Sequence, residues 1–141
     1  MSAQKPDKIC YQPIGWVKTE AREVPRFYKI SKVKGELHIL PKYQPGLKDI
    51  KPGEKICVLF HFHKSPPFEE KHLIQEPPHR PGEKRGVFST CSPVRPNAIG
   101  LSVLKVLEVN GNVLKVEGLD MLDGTPILDI KPYKFEGDNE P

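Results

Sequence analysis

Sixteen prolines in a chain of 141 residues leave little room for long helices. Each proline removes a backbone donor and collides with the helical turn before it, and the density is far above that of an average domain. Strands joined by ordered loops are therefore expected, in a single all-β domain over residues 1–137 with an acidic, frayed tail at 138–141. A chain of this length buries a real but not a generous core.

The hydrophobic patterns place the strands. A short one is expected at Ile14–Val17 and another at Gly35–Leu40, where Leu37 and Ile39 alternate with His38 and Leu40. "KICVLFHFH" (Lys55–His63) is the strongest, with Val58, Phe60 and Phe62 on one face and Leu59, His61 and His63 on the other. Lys64–Arg85 carries five prolines and reads as a long exposed loop with one helical turn near Glu69–Leu73. A loop of that length in a compact domain is more often functional or mobile than idle. "RGVFST" (Arg85–Thr90) looks like a short strand. "LSVLKVLEVNGNVLKVEGL" (Leu101–Leu119) is a hairpin, and Asn110-Gly111 suits a type I′ turn. That register sets Val103, Lys105, Leu107 and Val109 opposite Gly118, Val116, Leu114 and Asn112, as one largely apolar face. A tight turn at Asp123-Gly124 then opens a last strand reaching Ile130. Six or more strands with few helices close into a barrel or a sandwich.

Charge and cysteine usage narrow the chemistry. A net charge of +4 permits a nucleic-acid partner without requiring one. Cys10, Cys57 and Cys91 are odd in number and widely spaced, which argues against a disulfide framework or a cysteine zinc site. No apolar run approaches membrane-spanning length, and the N-terminus has no apolar signal core. A reducing cytoplasm is the expected compartment. No dinucleotide, P-loop or nucleophile-elbow motif is present. His61 and His63 could hold a metal if a third ligand such as Cys91 joined them. Such a pair is more often one core histidine and one pocket histidine, so no metal is expected. Asp120, Asp123 and Asp129 cluster near the end, and Asp129 with Lys131 reads as a surface ion pair.

"SPVRPNAIGLS" (Ser92–Ser102) is the least ordinary segment. Pro93 and Pro96 fix φ and hold Arg95 extended between them. Ser92 and Asn97 can bond local backbone or a ligand, and Gly100 permits close approach. Preorganised donors of this kind suit an anionic or zwitterionic ligand. A loop whose arginine merely meets a surface carboxylate fits the same residues.

"RGVFSTCSPVRPNAIGLSVLKV" (Arg85–Val106) and "GLDMLDGTPILDIKPY" (Gly118–Tyr133) resemble the TsaA-like family, best known through TrmO-type tRNA methyltransferases. "PIGWVKT", "VPR" at Val24–Arg26, "GELHI" and "VLFHFH" agree with it. The resemblance implies a compact β-barrel with long ordered loops and little helix, unlike the α/β methyltransferases. It implies S-adenosylmethionine as methyl donor, and a homodimer with each cofactor site near the subunit interface. It also implies methylation of N6 of threonylcarbamoyladenosine beside the tRNA anticodon. Carried over by position, His63, Lys64, Cys91, Leu101, Glu117, Gly118, Leu119 and Asp120 would line the cofactor site. The backbone at Gly118 and Leu119 would bond the adenine edge or methionine moiety, and Asp120 a ribose hydroxyl or the amino group. Arg85, Arg95, Asn97, Lys131 and Tyr133 would hold phosphate or stack a base. His63 and Asp120 are the candidates for a general base, with neither designated.

Two residues depart from the family pattern: Cys91 stands where an arginine is usual, and Ala98 where a proline is. Lys64, Arg85 or Arg95 would have to supply the missing cation. Longer members also carry a C-terminal region beyond the block that ends at Tyr133. Two alternatives follow: a non-catalytic cofactor- or RNA-binding module of the same fold, and a small metalloprotein using His61 and His63.

Overall fold

The computed structural model describes residues 5–25 and 31–133. Its strands are β1 (Gly15–Lys18), β2 (Lys34–Ile39), β3 (Lys55–His61), β4 (Ile74–Gln75), β5 (Arg85–Gly86), β6 (Ile99–Asn110), β7 (Val113–Glu117) and β8 (Pro126–Pro132). Six of them close a barrel in the order β1-β2-β7-β6-β3-β8, every neighbouring pair antiparallel. β4 and β5 pair separately as a small hairpin in the long loop. Among the described residues, helix is limited to short 3₁₀ turns at Pro41–Leu47, Glu70–Leu73 and Val87–Ser89. The all-β fold expected from proline density and strand patterning is observed, and of the barrel and the sandwich that patterning left open it is the barrel implied by the family resemblance. None of the described helices is long and apolar enough to cross a membrane.

Period-two alternation fills the barrel. Leu37 and Ile39 of β2, Ile56, Val58 and Phe60 of β3, Leu104 and Val106 of β6, and Leu114 and Val116 of β7 all point inward and are buried. Leu119 and Met121, just past β7, join the same core. The turn expected near Glu69–Leu73 is present.

The β6–β7 hairpin differs from its sequence reading. Asn110 pairs with Val113, so the two-residue turn is Gly111-Asn112, not Asn110-Gly111. Gly111 has φ 60° while Asn112 does not have positive φ, which fits a type II′ turn rather than type I′. The Asn112 side-chain amide donates to Ile39 O at 2.6 Å, tying the turn to β2. The inward face of β6 is also the other one: Ser102, Leu104 and Val106, not Val103, Lys105 and Leu107. Lys105 cannot give up its hydration, so the set containing it faces out. A bulge between Val106 and Glu108 then switches parity, and half-buried Val109 packs on the core.

Three further expectations shift. β3 ends at His61: Phe62 still donates its amide in register to Ala98 O at 2.8 Å, but the Ile99 amide turns back to Asn97 O at 2.7 Å and the ladder goes no further. His63 therefore sits in a turn and does not share a strand face with His61. "RGVFST" splits into the two-residue β5 and a 3₁₀ turn. Gly100 does admit close approach, but by the Phe60 ring: a Cβ there would lie 2.3 Å from Phe60 Cζ. The tail at 138–141, and Arg26 of "VPR", lie outside the described residues.

Candidate functional site

One mouth of the barrel gathers most of the residues singled out in the sequence. The register brings the C-terminal ends of β1, β3 and β7 to the same side as the N-terminal ends of β2, β6 and β8. The turn after β3 (His63-Lys64), the Ser92–Ala98 loop and the 118–125 loop all emerge there.

The 118–125 loop is fixed by its backbone. Gly118 has φ 104°, a left-handed value that a residue with a Cβ resists. That turn lets two successive amides, of Gly118 and Leu119, donate to Val33 O at 2.9 and 3.1 Å. Leu119 O accepts the Ser31 hydroxyl. Leu119 and Met121 are buried plugs, so Asp120 between them stands half-buried at the mouth. The Ser102 hydroxyl, fully buried in the barrel wall, donates to Asp120 Oδ1 at 2.5 Å. Asp123 closes the loop by accepting the Thr19 amide at 2.9 Å. The Gly124 amide donates to Val17 O at 2.8 Å.

His63 faces this loop. A Cβ on Gly124 would lie 3.9 Å from His63 Nε2, so the imidazole borders the Asp123-Gly124 turn. Burial lowers the His63 pKa, and the neighbouring Lys64 and His61 charges lower it further. The neutral imidazole is thus the form present near pH 7, able to donate from one nitrogen and accept at the other. An NMR titration should place its midpoint below the ordinary value of about 6.5, and Lys64→Ala should move it back up. Because the unfolded chain takes up that proton first, the His63 contribution to stability is lost as pH falls through about 6.5 and below. A midpoint above the ordinary value would contradict this.

The proline-braced loop is built around Arg95. Its Nη1 donates to Thr90 O at 2.9 Å and Ser92 O at 3.1 Å, so the guanidinium clamps backbone carbonyls rather than a surface carboxylate. The Ser65 hydroxyl donates to Pro93 O at 3.0 Å and the Gln75 side-chain amide to Val94 O at 2.8 Å. These bonds stitch the long Lys64–Arg85 loop onto the Ser92–Ala98 loop. Arg95→Ala should cost about 1–2 kcal/mol in chemical denaturation, from two charge-assisted bonds on a half-buried side chain. Unchanged stability would show the clamp to be incidental.

The other singled-out residues are distributed unevenly. Leu101 points outward from β6 opposite Leu59 and is half exposed. Glu117 ends β7 opposite Lys34 and Lys105. Cys91 and Asn97 are exposed in the loop. Arg85, on β5, binds Glu83 Oε1 through Nη2 at 2.6 Å. Lys131 and Tyr133 are not brought to this mouth. Lys131 pairs across from Cys57, six residues before His63, which is roughly 20 Å along a strand. It forms the expected ion pair with Asp129 at 3.1 Å. It also helps line a cavity of about 550 Å³ at the opposite mouth, with Lys42, Tyr43 and Ile56. No group of three His, Cys, Asp or Glu among the described residues is placed to hold a metal ion. Sequence reasoning missed Ser102 and Thr19. Ser102 was detectable as the lone polar residue in the Gly100-Ser102-Leu104-Val106 alternation, whereas nothing local marks Thr19 as a partner of Asp123.

Comparison with known proteins returns one family. The profile of the tRNA-methyltransferase O (TrmO) N-terminal domain matches residues 17–139. The chain is 42% identical over 137 residues to a probable S-adenosyl-L-methionine-binding protein of Pyrococcus abyssi, covering 94% of this chain and 72% of the relative. An S-adenosyl-L-methionine-binding protein of Archaeoglobus fulgidus is 41% identical over 130 residues, covering 90% of this chain and 91% of that one. The tRNA (adenine(37)-N6)-methyltransferase of Mus musculus is 50% identical over 84 residues, 60% of this chain and 19% of the enzyme. A crystal structure of TrmO from Pseudomonas aeruginosa superposes with a TM-score of 0.73 at 30% identity, over 95% of this chain. The chain spans 58% of the length of that structure.

Proposed function

The chain belongs to the TrmO N-terminal domain family, and on that premise we propose that it binds S-adenosylmethionine at the His63 mouth and methylates N6 of an adenosine in tRNA. The finer reading is that the acceptor is threonylcarbamoyladenosine beside the anticodon, and that the protein works as a cytoplasmic homodimer. The observation that carries the proposal is the convergence at one barrel mouth of three segments to which the family resemblance assigned a ligand role. These are His63-Lys64, Ser92–Ser102 and Gly118–Gly124.

The donor set suits the cofactor. Asp120 is a fixed carboxylate that can accept from a ribose hydroxyl or an ammonium. Leu101, next to Ser102 in β6 and half exposed on the outer face, offers apolar surface for a purine. The Gly118 and Leu119 amides are already committed to Val33 O, so recognition through that backbone falls to carbonyls rather than N–H groups. Lys64 is the exposed cation next to His63 and takes the carboxylate-pairing role left open by Cys91. When bound, S-adenosylmethionine supplies an electrophilic methyl group on a sulfonium. The chain's part is then to hold the acceptor in line with it, and positioning supplies most of the rate. His63, neutral near pH 7, is the residue able to receive the acceptor's proton.

A second reading rests on a specific comparison. The Archaeoglobus relative that matches this chain almost end to end is named for binding the cofactor, not for methylation. Cys91 fits a module that binds without catalysing. Calorimetry with S-adenosylmethionine tests the shared premise, and absence of binding heat would sink both readings. Incubation with methyl-labelled cofactor and tRNA from cells lacking the modification separates them. Label in one adenosine nucleoside is expected, and bound cofactor with unlabelled tRNA would leave the binding module.

A further inference from the structure

We infer that Phe88 is a stacking platform for one unpaired nucleobase of the RNA, an inference that rests on the tRNA reading above. Phe88 is 78% exposed, and no large apolar side chain among the described residues is more so. Such exposure is ordinary on a loose loop, but this residue is held. Its neighbour Val87 is buried, and Val87 O accepts both the amide and the hydroxyl of Thr90, at 3.1 and 2.8 Å. Thr90 O in turn accepts Arg95 Nη1. Arg95 belongs to the loop that Ser65, Gln75 and Phe62 fasten to the rest of the mouth. The Phe88 ring thus projects from a turn wired by successive hydrogen bonds to the His63 end.

The surroundings fit a base. Gly86 and Ser89 flank Phe88 and are exposed, and a Cβ on Gly86 would meet no atom within 4 Å. That leaves open space at Gly86, on the approach to the turn that carries Phe88. Lys84 and Arg85 precede it; Arg85 is paired with Glu83, so Lys84 is the exposed cation that a phosphate would meet. Ile74, opposite Gly86 in the β4–β5 hairpin and also exposed, adds an apolar edge. Single-stranded RNA is recognised by stacking splayed bases on rigid aromatics with cations along the backbone, and bases next to an anticodon are unpaired. A subunit contact would use the same exposed Phe88 and Ile74, and sedimentation of Phe88→Ala separates that use from RNA contact.

The test reads RNA contact without methyl transfer. The chain has one tryptophan, so a Trp16→Phe, Phe88→Trp double variant carries a single reporter at the platform. An anticodon stem-loop RNA should quench its fluorescence, and a fully paired duplex should not. Phe88→Ala should weaken stem-loop binding about tenfold or more, Phe88→Tyr should restore most of it, and cofactor affinity should be unchanged in both. Equal binding by Phe88→Ala, or equal quenching by the duplex, would overturn the inference. So would a change of oligomeric state in Phe88→Ala by sedimentation, which would assign the residue to a subunit contact. RNA binding that depends on Phe88 in a protein that never methylates would leave this inference standing and sink the enzymatic reading. No RNA binding by the unaltered protein would overturn both.

Discussion

Asp120→Ala is expected to weaken S-adenosylmethionine binding roughly a hundredfold, the effect of losing a charged hydrogen bond of about 2–3 kcal/mol. The same change strips the acceptor from Ser102, whose hydroxyl is fully buried in the barrel wall. Leaving that donor unsatisfied should lower stability by about 1–3 kcal/mol. Two companions separate the roles. Asp120→Asn keeps an oxygen for Ser102 and should fold with near-normal stability while still binding the cofactor poorly. Ser102→Ala removes donor and hydroxyl together, so it should cost little stability but loosen the carboxylate and weaken binding several-fold. Calorimetry and thermal melts on the three variants are sufficient. Cofactor binding by Asp120→Ala at the unaltered affinity would remove Asp120 from the site.

Gly15→Ala should cost about 3 kcal/mol and lower the melting temperature by about 10 °C. Gly15 is buried in β1, opposite Ile39 of β2 and Ile127 of β8. A Cβ there would lie 2.3 Å from His38 O and 2.9 Å from Ile39 Cα. Both atoms are backbone, so no rotamer change relieves the clash, and β1 must part from β2. β1 is only four residues long and is the strand joining β2 to β8, so the barrel seam opens with it. Gly46→Ala is the control. Its Cβ would meet no atom within 4 Å, and it should change stability by less than about 0.5 kcal/mol. Urea midpoints that moved equally for the two variants would refute the close packing of the β1–β2 seam.

Much of the barrel could be read before folding was considered. Leu37 and Ile39, or Val58 and Phe60, declare their inward face because alternation is a local property of an extended chain. The hairpin between Leu101 and Leu119 was equally visible as a hairpin, yet its register was not. Asn110-Gly111 and Gly111-Asn112 are both acceptable turns locally. The choice is made by Asn112 bonding Ile39 O on a third strand, and by the bulge that lets both Val106 and Val109 reach the core. The His63 strand end fails for the same kind of reason. Nothing in "HFHK" says that the ladder will stop at His61, where Ile99 of the partner strand, more than thirty residues away, turns its amide back to Asn97 O.

The candidate site divides likewise. His63, Arg95, Asn97 and Asp120 stood out because their residue types are unusual next to prolines, glycines and strand formers. Ser102 did not stand out, since one serine in a strand is unremarkable until Asp120 is seen to accept from it. Lys131 and Tyr133 belong to the same sequence block as Asp120, yet β8 carries them the length of the barrel to the opposite mouth. The amino-acid sequence by itself determined an all-β chain, its family likeness and the chemical types available for a site. Only the tertiary structure decided which of those groups meet, because antiparallel closure assigns each residue to one mouth or the other by its distance along a strand, and that assignment depends on partners remote in the chain.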